Sequence, residues 1–388
     1  MKRGRVLNLA VPIMASGFVG QIVGLSTRIG IGYEAIEIGL SASAILVLTA
    51  AFSFVPIFLT MFVGRFTDRN GAGRVILAGA CILFVGAALP ALLPPSIPVF
   101  LLAMTCLGVG QTFQIASLQA EISLTGRIRH RDRMIGWFMV WQSTGQVMAP
   151  LLLTAASFLQ FPVPHVAMMW IAMAFAVGQV GLALQIRRFS KIPVQNDMPL
   201  PLGEIVGTPG LAWLAVSGSL CVATQEMTYV FMPLVATERG IDPALVGIML
   251  GAFSFTQLVA RAVYPGAAAR WGRERLMAAS LLITAAIFAA FALPMPAMIM
   301  ALFLAAAGLS LGFAVTCSVS LTMQLAPARA KGTALSLRLA VNRTGQFAMP
   351  LVSAVATPWL GTGGVFLTCG LVIGLCLPFL PTALRTGR

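Results

Sequence analysis

Very few side chains in this sequence are placed where chemistry would need them. Glu226 and Arg343 lie deep inside long apolar runs, Arg343 about twelve residues into one run and close to half depth at about 1.5 Å per residue, Glu226 about fifteen into another and somewhat beyond the middle. A charge near mid-bilayer costs at least about 2.5–3.5 kcal/mol, so such residues stand for function or for an internal partner. A buried carboxylate suits reversible protonation. An arginine stays charged and must meet an anion, either Glu226 or a carboxylate on a solute. Three readings stay open. Glu226 takes a coupling proton that Arg343 senses, Arg343 holds an anionic solute, or the two form a static buried pair.

Amides form the second group. Phe138, Gln142 and Gln146 recur at i, i+4 and i+8, and Arg338, Asn342 and Gln346 repeat that stripe in a later run. Polar side chains sharing one helix face do not point at lipid. They either glue helices together, at about 0.6 kcal/mol each, or line a wet cavity. Trp137 and Trp141 share a face of the earlier run and either stack on a flat solute or serve packing.

These residues need a scaffold, and composition says which kind. The chain has 388 residues, 59% hydrophobic and 9% charged, with a mean hydropathy of +0.93. Soluble domains carry about 25% charged residues, so a soluble enzyme is excluded. Lys+Arg number 25 against 11 Asp+Glu, a net charge of +14. The basic residues lie in short loops between apolar runs, so they read as membrane topology and not as a nucleic-acid surface. The six cysteines all fall inside apolar runs, without metal-ligand spacing, and read as small buried hydrophobes.

Twelve runs are expected to span, at about 6–29, 40–63, 75–95, 98–120, 134–158, 165–186, 211–235, 243–264, 276–294, 297–323, 333–356 and 362–383. The basic start, followed directly by further spans, reads as an uncleaved first helix. An even count puts both termini on one side. With a cytoplasmic N-terminus, twenty of the 25 basic residues face the cytoplasm and only Arg28 and Arg239 face outward. Residues 188–209, rich in proline and charge, read as a cytoplasmic linker between bundles at 1–187 and 210–388.

The two bundles repeat in sequence. Ala51-Phe-Ser-Phe54 recurs as Ala252-Phe-Ser-Phe255, and at the same offset Glu37 meets Glu238, Gly39 meets Gly240 and Gly71 meets Gly272. Thr144-Gly-Gln146 with Pro150 recurs as Thr344-Gly-Gln346 with Pro350. A parallel duplication of this kind implies a two-fold axis along the membrane normal and a site where the repeats meet.

The loop after the second span reads Gly64-Arg-Phe-Thr-Asp68-Arg69-Asn-Gly71-Ala-Gly-Arg74. Here the chain resembles the major facilitator superfamily, whose motif runs Gly-x-x-x-Asp-Arg-x-Gly with basic residues following. Gly64, Asp68, Arg69, Gly71 and Arg74 match, whereas Ala72 and Gly73 depart. The second copy keeps Arg270, Gly272 and Arg275 but has Ala269 in place of the acid. The resemblance implies an all-α fold of two pseudo-symmetric six-helix bundles. It also implies that Asp68 latches the halves, the five matching residues acting as a gate. Since the family lines its cavity with spans one, four, seven and ten, Gln21, Gln111, Gln114, Gln225 and Glu226 become lining candidates. With them go Trp141, Gln142, Arg338, Asn342, Arg343 and Gln346. Gly145 to Pro150 resembles the antiporter motif of span five, although Leu151 and Leu152 replace its closing glycines. Met104 stands where drug–proton exporters often carry an arginine.

The expected function is secondary transport of a small organic solute across the cytoplasmic membrane, by a monomer, with proton coupling through Glu226, no cofactor and export favoured. An uptake carrier that binds organic anions at Arg343 is the alternative. A membrane-embedded enzyme would need a cluster of catalytic groups, and His130 and His165 stand apart in the sequence without recognisable partners. A GxxxxGK[ST] nucleotide loop is missing from the sequence.

Overall fold

The computed structural model describes residues 3–124, 128–190, 210–325 and 331–379. Among them lie twelve α-helices: α1 (Arg3–Glu37), α2 (Ala42–Asn70), α3 (Ala72–Leu92), α4 (Ile97–Leu124), α5 (Ile128–Phe158), α6 (Pro164–Phe189), α7 (Leu211–Glu238), α8 (Pro243–Trp271), α9 (Arg273–Ala290), α10 (Ala297–Leu325), α11 (Lys331–Leu360) and α12 (Gly363–Gly374). A short 3₁₀ turn follows at Leu377–Phe379. Helices are the form in which an apolar segment satisfies its own backbone, which is what these runs require in lipid. Seven of them, α1 to α4, α6, α8 and α10, are long and apolar enough to cross a membrane by length and hydropathy alone. Of the remaining five, α7 and α11 carry the polar residues singled out above, which lower their hydropathy without shortening them. Most of the expected linker, from 191 to 209, lies outside the described residues, as does the end of the last expected span beyond 379.

The helix ends repeat as the sequence does. Gly71 and Gly272, at φ 82° and 79°, open α3 and α9 from a backbone conformation that a side chain resists. In α1 the helix runs on to Glu37, eight residues beyond the expected end, because Arg28 does not terminate it. Arg28 is buried, with its guanidinium 4.3 Å from the Phe52 ring centre, so the charge rests on an aromatic face.

Two compact units emerge from the packing. One comprises Met1–Leu40, Ala51–Asn196 and Asp242–Gly251, the other Ser41–Ala50, Asp197–Ile241 and Ala252–Arg388. In the first, Leu9, Ile13, Ile76, Ala80, Leu118, Ile122, Phe138 and Ile186 make one core from α1, α3, α4, α5 and α6. The opening turns of α8 pack here too, Thr154 donating to the Ala244 carbonyl at 3.0 Å. In the second, Phe231, Phe288, Phe291 and Phe366 stack α7, α9 and α12 together, with ring centres 5.3–6.3 Å apart. The opening turns of α2 join it, Ser43 donating to the Ala354 carbonyl at 3.3 Å.

Each unit contains the same close helix crossing. A Cβ on Gly108 of α4 would stand 1.8 Å from the Phe52 carbonyl oxygen of α2, and one on Gly308 of α10 would stand 2.2 Å from that of Phe253 on α8. Small residues at such crossings let backbones approach, which is how helices gain packing energy without a hydrophobic driving force.

Candidate functional site

Within the first unit, α1, α4 and α5 enclose a small, partly open hollow of about 10 Å³, room for about one water, lined by Ser16, Gly17, Gly20, Gln21, Gln111, Gln114, Ile115, Leu118 and Gln142. Glycines on α1 make the room. A Cβ on Gly20 would sit 3.0 Å from the Gln114 Oε1, and one on Gly24 2.0 Å from the Gln111 Nε2. Gln146 donates to Gln21 Oε1 at 3.4 Å, which braces that amide. Gln179 of α6 donates to Ser16 Oγ at 2.8 Å and to its carbonyl at 3.1 Å. Gln114 is 2% exposed and its Nε2 has no hydrogen-bond partner among the described residues. A buried donor of this kind is costly unless something meets it. Among the described residues no formally charged one lines the hollow, so it offers paired donors and acceptors to a neutral polar group.

Four expected residues (Gln21, Gln111, Gln114 and Gln142) thus surround one space. Trp141 is not among its lining; it is 42% exposed and stands edge-on to Phe18 at 5.9 Å. Ser16 and Gln179 were not singled out from sequence. The signal for Ser16 was the stripe Gly17, Gly20, Gly24 beside Gln21, small residues at helical spacing on one face.

The second unit holds the other candidates. Gln225 is buried and Glu226 half-buried in the middle of α7. On α11, Arg338, Asn342 and Gln346 are buried and Arg343 is half-buried, its Nη1 donating to Gln346 Oε1 at 3.0 Å. Ser219 of α7 donates to the Val341 carbonyl at 2.7 Å, and Gly345 makes the room, since its Cβ would stand 2.0 Å from Ser219 Oγ. Sequence reasoning passed over Gln257 of α8, which is buried with neither amide atom hydrogen-bonded among the described residues.

The motif loop is placed at the turn between α2 and α3. The backbones of Gly64 and Asp68 lie in α2, and the Asp68 side chain lies outside the described residues. Arg69 and Arg74 are exposed on either side of Gly71. Gly73, one of the departures from the family pattern, has a structural reason. Its N–H donates to Ser190 Oγ at 3.2 Å, Ser190 donates to Glu121 at 2.7 Å, and a Cβ on Gly73 would come 2.8 Å from the Arg187 Cα. A basic side chain does not fit at that crossing.

At the far ends of α1 and α7 the repeated glutamates each tie two elements. Glu238 accepts from Thr362, just before α12. Glu37 faces His165 at the start of α6, Oε1 to Nε2 3.3 Å, with Glu34 at 3.8 Å and the imidazole stacked on Tyr33 at 5.4 Å. His165, partnerless by sequence, therefore has two carboxylates around one nitrogen. Once protonated, the imidazole pairs with them, and the pair is worth about 0.5–1 kcal/mol where one partner is exposed. Glu37→Gln is expected to lower the thermal unfolding midpoint near pH 5.5 and to leave it unchanged near pH 8. Equal midpoints for the two proteins at both pH values would count against the pair.

A model of the Major Facilitator Superfamily matches residues 6–225 and again 214–387. No curated protein matches the sequence. Among solved structures, a POT family transporter in complex with a thioalcohol-conjugated peptide has a TM-score of 0.79 at 12% identity, covering 98% of this chain and 96% of that one. The nucleoside transporter NupG has a TM-score of 0.77 at 14% identity, covering 96% and 99%. A bacterial homolog of the human lysosomal transporter Spinster, inward-facing and occupied, has a TM-score of 0.74 at 13% identity, covering 98% and 96%. Twelve helices in a repeated order, glycine-opened turns after α2 and α8, and a family match over nearly the whole length agree: the chain belongs to the Major Facilitator Superfamily and is a multi-pass membrane transporter of the secondary type.

Proposed function

We propose that this transporter moves a small, hydrogen-bonding organic solute across the cytoplasmic membrane by alternating access, coupled to protons and working mainly in export. The amide cluster around the small hollow of the first unit carries the reading: its polar groups are neutral and convergent, which suits a neutral polar solute that enters as the helices part better than a dense array of charge would. The named transporters of this fold act on dissimilar cargo, a peptide conjugate in one and nucleosides in another, so side chains and not the fold select the solute. Glu226 supports proton coupling, since it is the described carboxylate that lies far from both ends of its helix. The Lys/Arg distribution supports cytoplasmic termini. Asp68 in the motif loop is proposed to act as the latch, and the protein to work as a monomer.

The test is a panel of neutral and anionic solutes added to purified protein, read by thermal shift near pH 5.5 and near pH 7.5. A neutral solute should stabilise the wild type in a pH-dependent way, and Glu226→Gln should remove the pH dependence while keeping binding. Survival of the pH dependence in Glu226→Gln would place the coupling proton elsewhere. The second reading, an uptake carrier for organic anions, is favoured by two arginines on one helix, Arg338 and Arg343. It would be selected if only carboxylates stabilise and Arg343→Ala abolishes the effect.

A further inference from the structure

The two units put different chemistry at one equivalent position. Phe138 of α5 is fully buried against α1, where a Cβ on Gly17 would come 2.6 Å from its ring. Two hundred residues on, Arg338 of α11 takes the same place against α7. It is 4% exposed, and its Nη2 lies 3.4 Å from where a Cβ on Gly218 would stand. Gly17 and Gly218 themselves correspond in the repeat, and the stripes continue in step through Gln142 and Asn342 to Gln146 and Gln346. The fold therefore offers one buried slot per unit. A phenyl ring fills the first and asks for nothing polar. A guanidinium fills the second, with five N–H groups to satisfy and a charge that does not leave.

The polar groups nearby do not meet its Nε and Nη2. Ser318 Oγ, beside Gly218, donates to the Leu214 carbonyl at 2.8 Å. Ser219 Oγ donates to the Val341 carbonyl at 2.7 Å, and neither hydroxyl accepts from Arg338 Nε or Nη2. Cys221, also on α7, is a fully buried thiol and no counter-ion while it holds its proton. Arg338 Nε and Nη2 are both buried without a hydrogen-bond partner among the described residues. Those two nitrogens form one edge of the guanidinium, the edge whose N–H bonds run parallel. That geometry accepts the two oxygens of a carboxylate in a fork.

We infer that Arg338 anchors an anion site inside the second unit, and that its ligand is the carboxylate of an organic solute gripped along the Nε–Nη2 edge. The inference rests on the transporter reading for treating that carboxylate as cargo, though not for the binding itself. It moves the anion-binding role from Arg343, whose Nη1 already meets Gln346, to Arg338, five residues earlier on the same helix. The buried guanidinium is then stabilised by its ligand, and the site favours two-oxygen anions over a spherical ion of the same charge.

The experiment uses the full chain in detergent at constant ionic strength, with thermal unfolding as the readout. Acetate and benzoate are titrated against acetamide, benzamide and chloride. Both carboxylates should raise the midpoint in a saturable way, and the amides and chloride should not. Arg338→Lys, which keeps charge but loses the fork, should weaken the response about tenfold. Arg338→Phe, the residue type that the first unit carries there, should abolish the response and leave the protein at least as stable. Arg338→Gln serves the same purpose if the phenyl ring fails to seat. Absence of any carboxylate effect on the wild type overturns the proposal. So does a response that survives both Arg338→Phe and Arg338→Gln, or a chloride response equal to that of the carboxylates. Proton-driven movement of a neutral solute in vesicles, with no carboxylate binding, would sink this site and leave the transporter reading intact. Carboxylate binding without transport of any solute would do the reverse.

Discussion

Gly108→Leu is expected to eliminate the folded protein, and Gly308→Leu to do the same in the other repeat. At Gly108 the obstacle to a side chain is the Phe52 carbonyl at 1.8 Å, and at Gly308 it is the Phe253 carbonyl at 2.2 Å. Backbone atoms in the middle of a helix cannot rotate aside. The helices must separate, and the contacts along the whole crossing are lost with them. Overpacking a core costs about 1–3 kcal/mol even where side chains can adjust. Here nothing adjusts, and the total stability of a domain is only about 5–15 kcal/mol. Gly178→Leu on α6 is the control, because a Cβ there meets nothing within 4 Å. Monodisperse yield in size-exclusion chromatography decides the matter. Wild-type yield of Gly108→Leu would mean that α2 and α4 do not cross where they are placed.

That pair of glycines also shows how much could be read from the chain before its structure. The duplication was visible in Ala51 to Phe54 and Ala252 to Phe255, and those segments contain Phe52 and Phe253, on whose carbonyls Gly108 and Gly308 sit. The repeat was legible because a helix crossing and a glycine-opened turn both restrict residue type. The interior ends of helices were less legible. Arg28 looked like the outward end of the first span, because a sliding hydropathy argument counts any arginine as solvent-seeking. Its charge instead lies on the Phe52 ring, a long-range partner that no local pattern announces. His165 shows the same limit: its partners Glu34 and Glu37 are more than a hundred residues away. The glutamines gathered around the hollow were singled out by type and span, yet the space they surround is made by α1 glycines, whose residue type alone does not announce a neighbour from another helix.

The paired change Gln111→Leu with Gln114→Leu should separate binding from stability. Both side chains are buried, and Gln114 Nε2 finds no partner within the protein among the described residues. Replacing a poorly satisfied buried amide by an apolar group of similar shape is nearly neutral or stabilising. The unfolding midpoint is therefore expected to hold or rise. Solute binding should move the other way. A solute that reaches these amides as the helices part would exchange hydrogen bonds with both, each worth about 0.5–1.5 kcal/mol net, and in the variant would face leucine methyls in their place. The combined loss, with the solute's own polar groups left unmet, corresponds to a fall in affinity of about thirtyfold or more. The measurement is a thermal-shift titration of the stabilising solute on both proteins in parallel. A raised midpoint with unchanged affinity would show that the solute binds away from this hollow. A lowered midpoint with lost affinity would show that the amides hold the helices together, and that their convergence serves folding before it serves cargo.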